Sequence, residues 1–284
     1  MAIPDGDRAW FFSPTWSRWD VFTNSTPRKE SRARIPLRLG QLARTNQPAP
    51  ELGGPGLTPL FAARRGNTLY PAPHFISGDG HSEYMHPLLL DGQLPWPDGK
   101  TVISTLTRDG TEVPARKEGP MTVYDVPEPS ARYDLRLVYT SDLLDKVDTT
   151  WGFTSGKPTS QNVPAGYICG DGKADCAATP ALLLDYDIPL DLTNKAASGA
   201  FTMTVSGHHQ PGAADPNLSR LQASISYDEG TTWQQITTTK KNDNSYTANA
   251  TLTAAKTVSL RFQAQDADGN TVNQTFYQAF KTRN

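Results

Sequence analysis

The sequence LQASISYDEGTTW, residues 221–233, decides the fold that this chain is expected to adopt. Leu221, Ala223 and Ile225 alternate with polar residues, and a period of two is typical of a half-buried β-strand. The tripeptide DEG at residues 228–230 then provides turn chemistry, and Trp233 begins the returning strand. The stretch therefore predicts a β-hairpin that has a large aromatic side chain to bury.

The same hairpin contains a recognisable turn motif. Residues 226–233, SYDEGTTW, fit the Ser-x-Asp-x-Gly-x-Thr-Trp pattern called an Asp-box, which is best known from sialidase propellers. In that motif the Ser and Asp side chains bond to the backbone of the turn while the Trp packs beneath it. A propeller needs several copies at a fixed period, and this sequence contains one. The motif therefore predicts a structural turn, and a sialidase is disfavoured.

The rest of residues 181–284 continues the strand pattern of the hairpin. Seven alternating runs fall in this segment, at residues 182–192, 201–205, 221–227, 233–238, 245–252, 258–264 and 271–280. Short strands at such spacing are typical of an immunoglobulin-like or fibronectin type III sandwich. We therefore expect the segment to form a β-sandwich domain of that class.

A second set of strand-like runs precedes it. Residues 101–107, 121–126, 133–140 and 149–154 are the clearest, and an Asp109-Gly110 turn signal closes the first of them. In the last run Trp151 and Phe153 share one face. Because the chain has no convincing helix, the expected fold class is all-β, with two β-sandwich domains. Residues 1–157 would be a jelly-roll or immunoglobulin-like sandwich, and residues 158–180 a linker.

Composition and charge exclude some classes of partner. The chain has 27 Lys and Arg against 29 Asp and Glu, so no large field attracts nucleic acid or an anionic membrane. No window of about 18 apolar residues predicts a membrane span. The first residues, MAIPDGD, are not a secretory signal. Because secretion is expected on other grounds, Met1 is interpreted as a start codon added to a fragment.

The ground for secretion is the pair of cysteines. Cys169 and Cys176 enclose the polar loop GDGKAD within the predicted linker. Such a close pair favours one small disulfide in an oxidising, extracellular compartment, although two free thiols would look the same in the sequence.

Several of these segments together resemble one family. They are LTRDGTEV (106–113), YDVPEPSARYDLRLVYT (124–140), TTWGFTSGKP (149–158), DIPLDLTNKA (187–196), ISYDEGTTW (225–233) and VSLRFQAQDADGNTVNQTFYQAF (258–280). They resemble the β-sandwich region that follows the catalytic domain in secreted, subtilisin-like serine peptidases of actinobacteria. The resemblance implies an accessory region, since the family's catalytic Asp, His and Ser belong to an upstream domain. None of those catalytic roles can be placed on this chain.

The residues themselves offer few candidate sites. Asp266, Asp268 and Asn270 place oxygen ligands at alternate positions, as a calcium loop does, but a turn between two strands explains them equally. His81, Glu83 and His86 lack the helical i, i+4 spacing of zinc hydrolases. No nucleophile elbow predicts a serine triad. We therefore expect no cofactor, with calcium as the exception to test.

One aromatic residue is a candidate for ligand contact. Trp96 lies between two prolines in a loop, so among the Trp residues of the first hundred it is the one expected to be exposed. The Pro-rich loops at residues 46–59 and 91–99 are stiff, and stiff loops lose less entropy on binding.

Three functions remain open from the sequence. The first is a non-catalytic, secreted accessory region of a subtilisin-like peptidase, which stabilises the enzyme or binds substrate or a surface. Its partner would be a catalytic peptidase domain in cis or a secreted protein or polymer. The second is a free-standing secreted binding protein, such as a protease inhibitor or adhesin. The third is a hydrolase with an unrecognised site. The ligand and the oligomeric state are not predicted.

Overall fold

The computed structural model describes residues 63–70, 101–118, 121–140, 146–162, 175–191, 195–209 and 216–283. This part of the chain contains eighteen β-strands and no helix, so the predicted all-β class is confirmed. The absence of helices here also means that no described helix is suited to crossing a membrane.

The strands fall into two groups along the chain. The first ten are β1 (Ala63–Arg65), β2 (Thr68–Tyr70), β3 (Thr101–Arg108), β4 (Thr111–Val113), β5 (Ala115–Glu118), β6 (Met121–Asp125), β7 (Ala131–Thr140), β8 (Lys146–Ser155), β9 (Gln161–Asn162) and β10 (Cys176–Ala178). The other eight are β11 (Leu182–Asp187), β12 (Lys195–Ala196), β13 (Gly199–His209), β14 (Leu218–Ser226), β15 (Gln234–Asn242), β16 (Ser245–Leu252), β17 (Thr257–Asp266) and β18 (Thr271–Thr282).

Seven of the last eight strands form the predicted immunoglobulin-like sandwich. The order β11-β13-β16-β15 makes one sheet, and β14-β17-β18 lie in the facing sheet. This is the arrangement of an immunoglobulin constant-type domain, whose two sheets contain four and three strands. The strand β15 belongs to both sheets, because residues 234–236 pair with β14 whereas residues 237–242 pair mainly with β16.

Aromatic rings fill the space between the two sheets. Tyr186 of β11 lies 4.7 Å from Phe262 and 5.3 Å from Phe276, measured between ring centroids. Phe201 of β13 lies 5.6 Å from Phe280 in the same way. Each of these rings comes from the alternating apolar positions that the sequence shows, so the period of two correctly predicts which face of each strand is buried.

The sheet of β14, β17 and β18 does not end at β18. Residues 271–277 of β18 pair with residues 146–152 of β8, and the sheet continues through β7 to β3 and β4. Strands from the predicted segments 1–157 and 181–284 therefore share one continuous sheet. A buried relay reinforces the join: the Tyr186 hydroxyl donates to Gln274 Oε1, and Gln274 Nε2 donates to Thr149 Oγ1 at 3.0 Å.

A smaller sheet has the order β5-β6-β2-β1-β10-β9. Its strands β9 and β10 lie within residues 158–180, which the sequence predicts to be a linker. Arg64 of β1 is buried, and its guanidinium donates to the carbonyls of Gly66, Pro127 and Ser155. The described ends of the predicted linker are both held in this sheet, because β10 pairs with β1 and β9 pairs with β10.

Candidate functional site

The Asp-box turn has the geometry that its sequence predicts. Ser226 Oγ accepts hydrogen bonds from the backbone nitrogens of Asp228 and Gly230, at 3.3 and 2.9 Å. Asp228 accepts from the Thr232 nitrogen at 2.8 Å and from the Thr232 hydroxyl at 2.6 Å. Every one of these bonds stays within the turn, so the motif holds the hairpin together.

The bonds to Asp228 also stabilise its charged form. The hydroxyl and backbone N–H of Thr232 and the Ser226 hydroxyl lower the pKa of the Asp228 carboxyl to about 2. The carboxylate is therefore ionised at neutral pH.

Beside the turn, two cations lie on two aromatic rings. The Arg261 guanidinium lies 3.9 Å from the centre of the Trp233 ring, and Lys146 Nζ lies 4.6 Å from the centre of the Tyr277 ring. Gly230 separates the two aromatics with φ of +86°, and a Cβ on it would lie 2.9 Å from the Tyr277 ring. The glycine is needed here for both its backbone conformation and its lack of a side chain.

The two end residues of the turn at residues 266–270, Asp266 and Asn270, are buried, in contrast to the exposed Asp228 of the Asp-box. Asp266 is 2 % exposed, and its carboxylate accepts from the Asn270 nitrogen, the Asn270 side-chain amide (2.8 Å each) and His209 Nε2 (2.9 Å). His209 ends β13 and Asp266 ends β17, so the contact joins the two sheets of the sandwich.

These contacts bear on the predicted calcium ligands. Asp266 and Asn270 point at each other, whereas Asp268 is exposed at the tip of the turn. Among the described residues no group of three or more His, Cys, Asp or Glu side chains is placed to hold a metal. The structure thus gives the turn a structural explanation, and calcium binding stays a prediction.

The outer face of the large sheet is a further surface feature of the described residues, and no motif in the sequence indicates it. Six polar side chains stand in one line across six paired strands, from β14 through β17, β18, β8 and β7 to β3. We call this line the polar row, and its members in strand order are Gln222, Gln263, Asn273, Thr150, Arg136 and Thr105.

The polar row has unused hydrogen-bonding capacity. Gln263, Asn273 and Arg136 are exposed, and the other three are half-buried. Arg136 makes a bidentate ion pair with Asp148, at 2.9 and 2.6 Å. The other five side chains have no hydrogen-bond partner within the described part of the chain. Five side chains of this surface, three of them amides, are therefore free to bond with water or a ligand.

A second arginine on this face connects β7 to β18 by hydrogen bonds that pass over β8. Arg132 of β7 donates to the Gly269 carbonyl at 2.7 Å and to the Thr271 hydroxyl at 2.8 Å. It reaches them by crossing Gly152 of β8, where a Cβ would lie 2.1 Å from Arg132 Nη2. The missing side chain at Gly152 thus allows the outer face to be bridged from β7 to β18.

Several predicted site residues lie outside the described residues. They are Trp96, Cys169, His81, Glu83 and His86, together with the loops at 46–59 and 91–99. Cys176 is fully buried in β10 and is not a free thiol. Because Cys169 is outside the described residues, its disulfide with Cys176 stays a prediction.

Comparisons with known proteins identify no family. No family model matches the chain, and no curated protein matches it. Among solved structures, the sulfane dehydrogenase SoxCD from Paracoccus pantotrophus is similar at 11% sequence identity and a TM-score of 0.24. The match covers 63% of this chain and 63% of that one, so it spans under two thirds of the neighbour. A likeness at this score carries no argument about fold or function.

Proposed function

We propose that this chain is a non-catalytic, secreted accessory region of a subtilisin-like serine peptidase, and that it binds substrate or a surface for the enzyme. The observation that carries the proposal is the continuous sheet from β14 to β3, because it presents a wide outer face whose polar side chains have unused hydrogen bonds. The resemblance of its strand and turn motifs to that family supports the choice of partner.

The contacts of two acidic residues, Asp266 and Asp228, support a non-catalytic role. The Asp266 carboxylate is occupied by Asn270 and His209 and lies between two sheets, where a substrate has no access. Asp228 is likewise occupied by its own turn. Both acids therefore have structural tasks that account for their positions.

A hydrolysis assay tests the non-catalytic part of the proposal. Purified chain is incubated with casein, with and without a serine-directed inhibitor, and we expect no difference between the two. Hydrolysis that the inhibitor abolishes would contradict the proposal.

The peptidase partner is tested by sequencing the gene upstream of the codon for Ala2. We expect an open frame that runs back into a catalytic domain with the Asp, His and Ser of a subtilisin-like enzyme. A signal peptide that ends directly before Ala2 would instead favour a free-standing secreted binding protein.

A further inference from the structure

We propose that a small monovalent anion, with chloride as the ion to test, binds beside the buried side chains of Tyr133, Arg108 and Arg64. Tyr133 belongs to β7 and Arg108 to β3, both in the large sheet, whereas Arg64 belongs to β1 of the smaller sheet. The ion therefore links the two sheets. This inference goes beyond the proposed function, because it concerns a ligand of the fold itself.

Two donors at this place are buried without an acceptor. Tyr133 is 0 % exposed, and its hydroxyl makes no hydrogen bond within the described part of the chain. Arg108 Nε is buried and unpaired in the same way. Since roughly 90 % or more of buried polar groups in proteins have a partner, two unpaired donors on neighbouring strands indicate an acceptor other than these protein groups, such as a bound ion or water.

The pairing of the strands places the two donors together. Tyr133 stands directly opposite Arg108 in the register of β7 with β3, so their Cβ atoms lie about 4.5–5.5 Å apart on one face of the sheet. On its other side the Tyr133 ring stacks on Phe153 of β8, with 6.1 Å between ring centroids. The stacked ring is fixed in orientation, and its hydroxyl is therefore a preorganised donor.

The third member adds a charge that no acidic side chain balances. Arg64 is 1 % exposed and forms no ion pair within the described residues. Burial lowers the pKa of its guanidinium, Tyr133 raises that pKa, and the charge of Arg108 lowers it, so both neighbours lie within electrostatic reach of Arg64. The guanidinium donates only to backbone carbonyls, which are those of Gly66, Ser155, Pro127 and Glu128.

The neighbouring carboxylates leave this charge uncompensated. Glu128 is paired with Lys157, and Asp109 lies at the exposed end of Arg108, 3.6 Å from its Nη1. A buried cation without a counter-ion is costly, and an anion bound beside it offsets that cost.

The donor chemistry selects the class of ligand. Guanidinium groups donate and never accept, so the site suits an anion and rejects a metal cation. Because the Tyr133 hydroxyl and Arg108 Nε are both shielded from solvent, a monatomic ion fits there better than an oxyanion as large as phosphate. The side chain of Arg108 is 30 % exposed, which gives the ion a path from solvent.

The test is thermal unfolding of the whole chain at constant ionic strength, with sodium gluconate replaced stepwise by sodium chloride. We expect the melting temperature to rise by about 3 °C once chloride reaches ten times its dissociation constant. Tyr133→Phe removes the hydroxyl and keeps the ring on Phe153, and it should abolish the rise. The matched control is Tyr124→Phe, which removes a buried hydroxyl that is bonded to Ser104 at 2.7 Å, and it should keep the full rise.

A crystal soaked in bromide gives a second readout that needs no variant. We expect an anomalous peak within hydrogen-bonding distance of the Tyr133 hydroxyl, and its absence would overturn the inference. An equal rise in Tyr133→Phe would reveal a general salt effect, and no rise in the unsubstituted chain would leave water as the acceptor. Stabilisation by sulfate but not by chloride, lost in Tyr133→Phe, would show that the site takes an oxyanion. Each of these three results contradicts the proposal.

Discussion

The two faces of the sheet from β14 to β3 are built from alternate residues of the same strands, yet they use polar groups in opposite ways. On the inner face, Gln274 bonds to Thr149 and to Tyr186 of β11, which lies in the facing sheet. On the outer face, Gln263 and Asn273 are left without a protein partner. Burial accounts for the difference, because a polar group removed from water must find a partner, whereas an exposed one is satisfied by solvent. Stability should therefore depend on the inner face and binding on the outer one.

The largest expected effect comes from a ring on the inner face. Phe262→Ala should lower the free energy of unfolding by about 3–5 kcal/mol, because Phe262 is fully buried against Tyr186 and its removal leaves a cavity. Gln263→Ala, one residue along the same strand, should change it by less than about 0.5 kcal/mol. Urea denaturation measures the free energy of unfolding of both variants. Equal decreases would contradict the expected difference between the inner and outer faces.

The next effect comes from the turn that joins the two sheets. Asp266→Ala should cost about 3 kcal/mol, because it leaves His209 and Asn270 without their shared acceptor in a buried site. Asp268→Ala in the same turn is the matched control and should be near neutral, since Asp268 is exposed. The same denaturation experiment compares them. A larger loss for Asp268→Ala would indicate a role for its carboxylate, such as holding calcium.

A smaller effect on stability is expected at Gly152, where the hydrogen bonds of Arg132 cross the outer face. Gly152→Ala should cost about 1–2 kcal/mol, because the new methyl group displaces Arg132 from the Gly269 carbonyl and the Thr271 hydroxyl. Gly156→Ala is the control, since its Cβ would lie 3.3 Å from Ser130, a tight contact that needs a shift of only a few tenths of an ångström. If both variants unfold at the same urea concentration, the hydrogen bonds of Arg132 to Gly269 and Thr271 contribute nothing to stability.

The smallest expected effect is the loss of stability in acid that follows protonation of Asp228, the exposed carboxylate of the Asp-box. Hydrogen bonds lower the pKa of Asp228 from its ordinary value of 3.8 to about 2. Its contribution to stability is therefore present above about pH 4 and is lost as the pH falls towards 2. Asp228→Asn should flatten that part of the profile of melting temperature against pH. Titration of the carboxyl by NMR is the direct check, and an ordinary value would contradict the geometry of the turn.

The local features of this fold could be predicted from the sequence because their signals are local. The alternation in residues 221–233, the Asp-box and the Asp109-Gly110 turn each involve neighbours in the chain, and all three are confirmed. The immunoglobulin-like strand pattern is confirmed for the same reason. The short strands β1, β5 and β9 could not be predicted, since two to four residues are too few to show a period.

The candidate site could not be predicted in the same way. Asn273 stands beside Thr150 only because β18 pairs with β8, and no signal in either strand specifies a partner more than a hundred residues away. The contact of His209 with Asp266 spans 57 residues and depends equally on how the sheets face each other. Each member of the polar row is an ordinary solvent-facing residue of its own strand. The row exists only once the register between strands is known.

The central position of β18 has a consequence for how the protein is made. This strand is the last in chain order among the described strands, but it lies in the interior of the sheet with β17 on one side and β8 on the other. When the ribosome has produced β3, β7 and β8, it has not yet produced the second neighbour of β8, so the edge of β8 stays unpaired until residues 271–282 emerge. Assembly that depends on such distant pairing is slow, and an open edge in the meantime favours aggregation. In a cell this protein would need its waiting strands shielded during synthesis.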